Sequence, residues 1–171
     1  YATMNAGKST MLLQASFNYR ERGMHTLLFV AGHYRKESDL GYISSRVGLE
    51  SDAEMFRDGD DLYDRIREHH ASKTTHCVFV DEAQFLTAEQ VGQLAHICDS
   101  LNVPVLAYGL RTDFQGRLFE GSARLLATAD ALIEIKSVCV CGRKAIMNLR
   151  VDAEGRAIAE GAQTEIGGND R

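Results

Sequence analysis

Apolar residues come along this chain in two rhythms that take turns. From Ser9 to Arg22 the positions Met11, Leu12, Ala15, Phe17 and Tyr19 recur on one broad side, which predicts a helix, and Gly23 stands where a C′ glycine ends one. The next run, T-L-L-F-V-A (26–31), is apolar at consecutive positions and predicts a strand buried on both faces. Residues 32–50 are polar, with Gly, Ser and Arg, and are expected to form a loop. D-D-L-Y-D-R-I-R-E-H-H (60–70) predicts an amphipathic helix, and H-C-V-F-V-D-E (76–82) a second buried strand that stops at two acids. Thr87 with Gln90 forms a capping box that opens a helix to about Leu101. V-P-V-L-A-Y-G-L (103–110) reads as another buried strand, L-F-E-G-S-A-R-L-L-A (118–127) as a second amphipathic helix and A-L-I-E-I-K (131–136) as a final strand, and a short first strand is expected to end near residue 3.

Strands alternating with helices imply an α/β domain with a parallel sheet flanked by helices. After Lys136 the rhythm gives way to cysteines, glycines and short alternating stretches. We place a boundary there, with a core over 1–136 and a small second domain over 137–171.

Composition narrows the class. The chain has 171 residues, 44% apolar and 25% charged, enough for one good-sized domain with a small appendage. A formal net charge of −5 argues against a protein whose task is gripping nucleic acid. No apolar run approaches the roughly 20 residues that cross a bilayer and no signal peptide is visible, so neither nucleic acid nor membrane is expected as a partner and the cytoplasm is the expected location. The first residue is not Met and the sequence stops at G-G-N-D-R, so both ends are expected to be trimmed.

Chemistry enters at A-G-K-S-T (6–10), between an apolar start and a helix. In a parallel sheet, ligands bind beyond the carboxyl ends of the strands, and the backbone N–H groups of a helix start point at an anion. Lys8 would add a charge on the β- and γ-phosphates and Ser9 a hydroxyl to Mg²⁺. The first glycine of G-x-x-x-x-G-K-[ST] is missing, since Ala2 holds its place, and that position often needs an unusual backbone angle. Support comes from V-F-V-D-E, which puts Asp81 at a strand end, where an acid holds Mg²⁺ through water. Glu82 is the catalytic candidate: it could take a proton from an attacking hydroxyl or orient a water. These residues therefore allow a kinase, a RecA-like P-loop ATPase or a nucleotide sensor.

Several segments together resemble one family, the type II thymidine kinases of bacteria and the vertebrate cytosol, and the enterobacterial form in particular. They are M-N-A-G-K-S-T (4–10), V-D-E-A-Q-F (80–85), Y-G-L-R-T-D-F (108–114) with Phe119, C-V-C-G-R-K-A (139–145) and I-G-G-N-D-R (166–171), and they span nearly the whole chain. The resemblance implies transfer of the ATP γ-phosphate to the 5′-hydroxyl of thymidine or deoxyuridine, with Mg²⁺ and with dTTP as feedback inhibitor. It also implies a RecA-like core, a small zinc-ribbon-like lasso domain and a homotetramer. Met4, Asn5, Ala6, Gly7, Lys8, Ser9, Thr10, Asp81 and Gln84 would line the ATP phosphates, Ser9 and Asp81 would hold Mg²⁺, and Glu82 would be the base. Met4, Phe85, Leu110, Phe114 and Phe119 would enclose the thymine ring, with Gln163, Glu165 and Gly167 on the lasso stretch that reads the base edge. The aromatics would equally suit an ordinary core. The aspartate that many relatives place after the second strand to contact the sugar has no clear counterpart in A-G-H-Y-R-K-E-S-D (31–39).

Of the four cysteines, Cys77 and Cys98 stand alone in apolar surroundings and read as core. Cys139 and Cys141 could be two zinc ligands, but a structural site normally has four, and all six histidines precede residue 97. The resemblance places the second pair just beyond Arg171. The spacing is C-x-C where C-x-x-C is commoner, and a disulfide between the two is not expected in the cytoplasm.

Overall fold

The structure, a computed structural model, describes residues 1–32 and 40–163. Helix α1 (Lys8–Glu21) runs into strand β1 (Thr26–Ala31) through a Schellman turn: Gly23 N–H donates to the Arg20 carbonyl at 3.0 Å and Met24 N–H to the Tyr19 carbonyl at 3.1 Å. Then come β2 (Leu40–Ser44), β3 (Glu50–Phe56), α2 (Leu62–Ser72), β4 (Cys77–Asp81), a 3₁₀ turn (Ala83–Phe85), α3 (Ala88–Leu101), β5 (Val105–Ala107) and α4 (Glu120–Thr128).

The sheet order is β2-β3-β1-β4-β5. The β3–β1, β1–β4 and β4–β5 pairs are parallel and only the edge pair β2–β3 is antiparallel. The chain start extends the sheet past β5: Ala2 bridges Leu110 in parallel, and Tyr1 exchanges backbone bonds with Ile133 and Ile135. Consecutive side chains of a strand face opposite ways, and both faces here are apolar. Leu27, Phe29, Val78 and Val80 join one core with Leu62 and Ile66 of α2, Val91, Leu94 and Ile97 of α3, and Leu125 of α4. Leu28, Cys77 and Phe79 join a second core with Leu12 and Leu13 of α1. The parallel α/β core expected from the sequence is thus present, with helices on both faces.

Three expectations need correction. The loop over 32–50 contains β2 and the start of β3. Its polar residues suit an edge hairpin, closed by a turn in which Gly48 N–H donates to the Ser45 carbonyl at 3.0 Å, and β3 buries only Ala53, Met55 and Phe56. Residues 131–136 form no strand; they lie beside Tyr1 with two backbone bonds, too few for a ladder. The buried strand expected over 103–110 shrinks to Val105–Ala107, whose residues are only partly buried, because the backbone at 108–110 turns aside to bond Ala83 and Ala2. Beyond 136 the described residues form short turns with isolated bridges at Val138–Lys144 and Val151–Ala157.

The capping box of α3 is complete. Gln90 N–H donates to Thr87 Oγ1 and Thr87 N–H to Gln90 Oε1, both at 3.1 Å, while Gln90 Nε2 donates to the Arg57 carbonyl at 2.7 Å. The cap therefore also fastens α3 to the loop before α2. Thr87→Ala should lower unfolding free energy by about 1 kcal/mol. Urea denaturation would show this as a lower midpoint at unchanged slope.

Candidate active site

The loop before α1, the end of β4 and residues 108–110 all lie at the carboxyl edge of the parallel strands, since Ala2 pairs with Leu110 and Val80 with Ala107. Ala2, in the place of the missing glycine, is buried in this pairing, and its φ is not positive. Left-handed backbone falls instead at Asn5 (φ 62°) and Gly7 (φ 85°). Alanine therefore costs nothing at residue 2, and the glycine that is needed sits at the N-cap of α1. That helix starts without a side-chain cap and without an acid in its first turn, in contrast to α2, capped by Asp61, and α3. Its first N–H groups remain open to an anion.

Asp81 ends β4 and is buried, and Ser9 Oγ donates to its Oδ2 at 2.7 Å across a separation of 72 residues. The Glu82 amide donates to the other oxygen, Oδ1, at 3.0 Å. Lys8 is 8% exposed, and its ammonium donates to the Thr3 carbonyl at 3.2 Å. Burial pushes the Lys8 amine below the usual lysine range, opposed by the charges of Glu82 and Asp81. An ammonium and two acids from distant parts of the chain therefore come close enough for their charges to act on one another.

Glu82 takes a left-handed backbone (φ 53°, ψ 38°), a conformation that costs about 1–2 kcal/mol in a residue with a Cβ. Two residues on, Gln84 Nε2 donates to Glu82 Oε2 while its Oε1 accepts from Leu110 N–H at 3.0 Å. The sequence grouped Gln84 with the phosphate residues; here both ends of its amide are engaged by protein.

The residues expected around thymine fall in two groups. Phe85, on the 3₁₀ turn, meets Phe119, the N-cap of α4, edge to face with centroids 5.9 Å apart. Leu110 is tied between Gln84 and Ser122, whose hydroxyl donates to its carbonyl. Phe114 lies under the Arg150 guanidinium, whose Cζ is 3.9 Å from the ring centroid. Met4 is 48% exposed, and its amide donates to Asn148 Oδ1 at 2.8 Å. Gln163 is exposed and donates to the Leu118 carbonyl at 3.4 Å, while Glu165 and Gly167 lie outside the described residues. Sequence reasoning passed over Asn148 and Arg150, which sit in no motif and are found only from their contacts. It also passed over Asp113, which is buried and holds the turn after 112 through the amides of Gln115 and Arg117.

The thiols of Cys139 and Cys141 lie together in the 138–144 turn. Hydrogen bonds from the Cys141 backbone and side chain hold the Cys139 thiol below its usual range. Among the described residues no group of three or more His, Cys, Asp or Glu side chains comes together to hold a metal.

An uncapped helix start facing strand-end acids is the arrangement of the P-loop-like nucleotide-binding α/β class. A family model described as thymidine kinase matches residues 1–171. The thymidine kinase of Mesorhizobium japonicum is 68% identical over 167 residues, 98% of this chain and 82% of that protein. Those of Zymomonas mobilis and Haemophilus influenzae are 61% and 55% identical, over 100% and 99% of this chain and 88% of each relative. The chain belongs to the thymidine kinase family. Among the described residues no helix is long and apolar enough to cross a membrane.

Burial pushes the Asp81 carboxyl above the usual aspartate range, against the Ser9 bond that favours its charged form. The folded state then binds this proton more tightly than the unfolded chain does. The site's contribution to stability falls as pH rises from the ordinary aspartate value through the raised one, and at neutral pH the carboxylate is a cost. Asp81→Asn should therefore raise the melting temperature of the nucleotide-free protein at pH 7. A lower melting temperature would mean that the Ser9 and Glu82 bonds outweigh burial.

Proposed function

We propose that this chain transfers the γ-phosphoryl group of ATP to the 5′-hydroxyl of thymidine, or of deoxyuridine, giving the monophosphate. The observation that carries the chemistry is the 2.7 Å contact from Ser9 to Asp81 beside the buried Lys8. The relatives named as thymidine kinases carry the choice of acceptor.

In this reading Lys8 and the backbone amides of the uncapped first turn of α1 bind the phosphates. The Ser9 hydroxyl and Asp81 carboxylate are hard oxygen donors close together, a set that suits Mg²⁺ with waters completing its shell. When bound, that ion neutralises charge on the β- and γ-oxygens. Glu82 takes the 5′-hydroxyl proton as that oxygen bonds the γ-phosphorus; the bond from phosphorus to the β–γ bridging oxygen breaks and ADP leaves. Phe85 and Phe119 support the thymine slot most directly, through their mutual packing. Leu110, Met4 and Phe114 extend it, and Gln163, Glu165 and Gly167 are assigned to the base edge.

The resemblance carries further parts of the proposal. They are a RecA-like core over 1–136, a lasso domain over 137–171, a homotetramer, inhibition by dTTP and a cytoplasmic setting. Zinc is proposed with Cys139 and Cys141 as two of its ligands, supported by the paired thiols and half of a tetrahedral set by themselves.

ATP supplied with and without thymidine, with ADP and dTMP both followed, tests the reading. Thymidine-dependent ADP is expected. Hydrolysis indifferent to thymidine would mean an ATPase, and binding without turnover a sensor. Glu82→Gln should keep ATP affinity and cut turnover by about 10²–10⁴; undiminished turnover removes Glu82 from the base role. Lys8→Ala should lower kcat/KM for ATP, and full activity in that variant would end the phosphate assignment.

A further inference from the structure

Gln84 is 3% exposed, and its carboxamide joins two parts of the site that have different tasks. We propose that Gln84 is a positioning residue, fixing the Glu82 carboxylate for proton abstraction and keying it to the backbone at Leu110. The inference deepens the kinase reading and rests on Glu82 being its base.

The chemistry of the two partners dictates the residue type. Glu82 offers an acceptor, Oε2, and Leu110 offers a donor, its N–H. A side chain spanning them must donate at one end and accept at the other, which a primary amide does and a carboxylate or ammonium does not. The partners also fix its orientation, since the flipped amide would face oxygen to oxygen and N–H to N–H. Little space is left for it to swing. A Cβ added at Gly109 would lie 2.8 Å from Gln84 N and 2.9 Å from Gln84 Oε1, so the chain at 109 passes directly against it. The turn that carries Gln84 is held as well, by Ala83 N–H on the Tyr108 carbonyl at 2.9 Å, and Tyr108 N–H donates in turn to the Val80 carbonyl at 2.8 Å.

The far end of the link is equally tied. Leu110 gives its N–H to Gln84 and its carbonyl to Ser122 Oγ, on α4, and the N-cap of α4 is Phe119, packed against Phe85. A nucleoside seated at Phe85 and Phe119 and a proton acceptor at Glu82 are thus referenced to the backbone of one residue, Leu110. One N–H from Gln84 occupies one of the several lone-pair sites of the carboxylate and leaves others for the 5′-hydroxyl. Displacing a reacting group by about 1 Å costs on the order of 10²-fold in rate.

The test is a double-mutant cycle on the full chain with ATP, Mg²⁺ and thymidine, each variant first checked for a cooperative thermal transition. Gln84→Met keeps length and loses both bonds; Gln84→Glu keeps an acceptor for Leu110 and loses the donor to Glu82. We expect kcat to fall about 10–100-fold in Gln84→Met, with KM for ATP within about twofold. In a Glu82→Gln background the same substitution should cost less than about threefold, because Gln84 acts through the group already removed. Equal losses in both backgrounds would overturn the inference while leaving Glu82 as base, and would assign Gln84 to general stability. Full turnover in Glu82→Gln itself would instead sink the base reading. If Gln84→Met does not fold, the cycle is run with Gln84→Glu, whose near-wild-type kcat would equally overturn the proposal.

Discussion

The hydrogen bond from Ser9 to Asp81 is the constraint on which the site depends. It closes a gap of 72 residues and requires that the first turn of α1 and the last residue of β4 arrive at one edge of the sheet. The sheet order makes this possible. The strip containing Ala2 lies beside the end of the β5 segment, which lies beside β4, so the turn before α1 and the acid are separated by one strand. A shift of one residue in β4 would turn Asp81 to the other face and replace it at the edge with Val80 or Glu82.

The site is held against its own electrostatics. Asp81 and Lys8 are both buried, burial disfavours the charged form of each, and a buried charge costs several kcal/mol unless well paired. Glu82 and Asn5 add left-handed backbone. The surrounding core offsets this. Both faces of β1 and β4 are packed, with Phe29, Phe79, Val78 and Val80 at 0% exposure. Cys77 shows how dry the interior is: burial pushes its thiol up to about 12, so it behaves as a small apolar side chain. Stability concentrated in the sheet lets its carboxyl edge carry strained and charged residues.

How much of this was legible in the chain varies from residue to residue. The buried strands at 26–31 and 76–82 were plain because a parallel strand covered on both faces is apolar at every position. The capping box at Thr87 was plain because it is a local bond between residues three apart. The edge hairpin β2–β3 was not: an edge strand exposed on one side has no apolar run to announce it, and its partner decides it. Asp81, Glu82, Lys8 and Ser9 could be named from their motifs. The links from Gln84 to Leu110 and from Asn148 to Met4 could not, since each joins a single polar residue to a partner far along the chain.

By itself the sequence determined the helices, the buried strands at 26–31 and 76–82, where α1 begins after its glycine and which acids stand at a strand end. These follow from periodicity and from groups a few residues apart, which any conformation of the segment must respect. Only the tertiary structure decided that Ala2 suffices where a glycine was expected, that residues 131–136 flank the chain start without joining a ladder, and that Gln84 spans Glu82 and Leu110. Each of those depends on what the packing of distant strands brings within about 3 Å, and hydrogen bonds at that range leave no periodic trace along a chain.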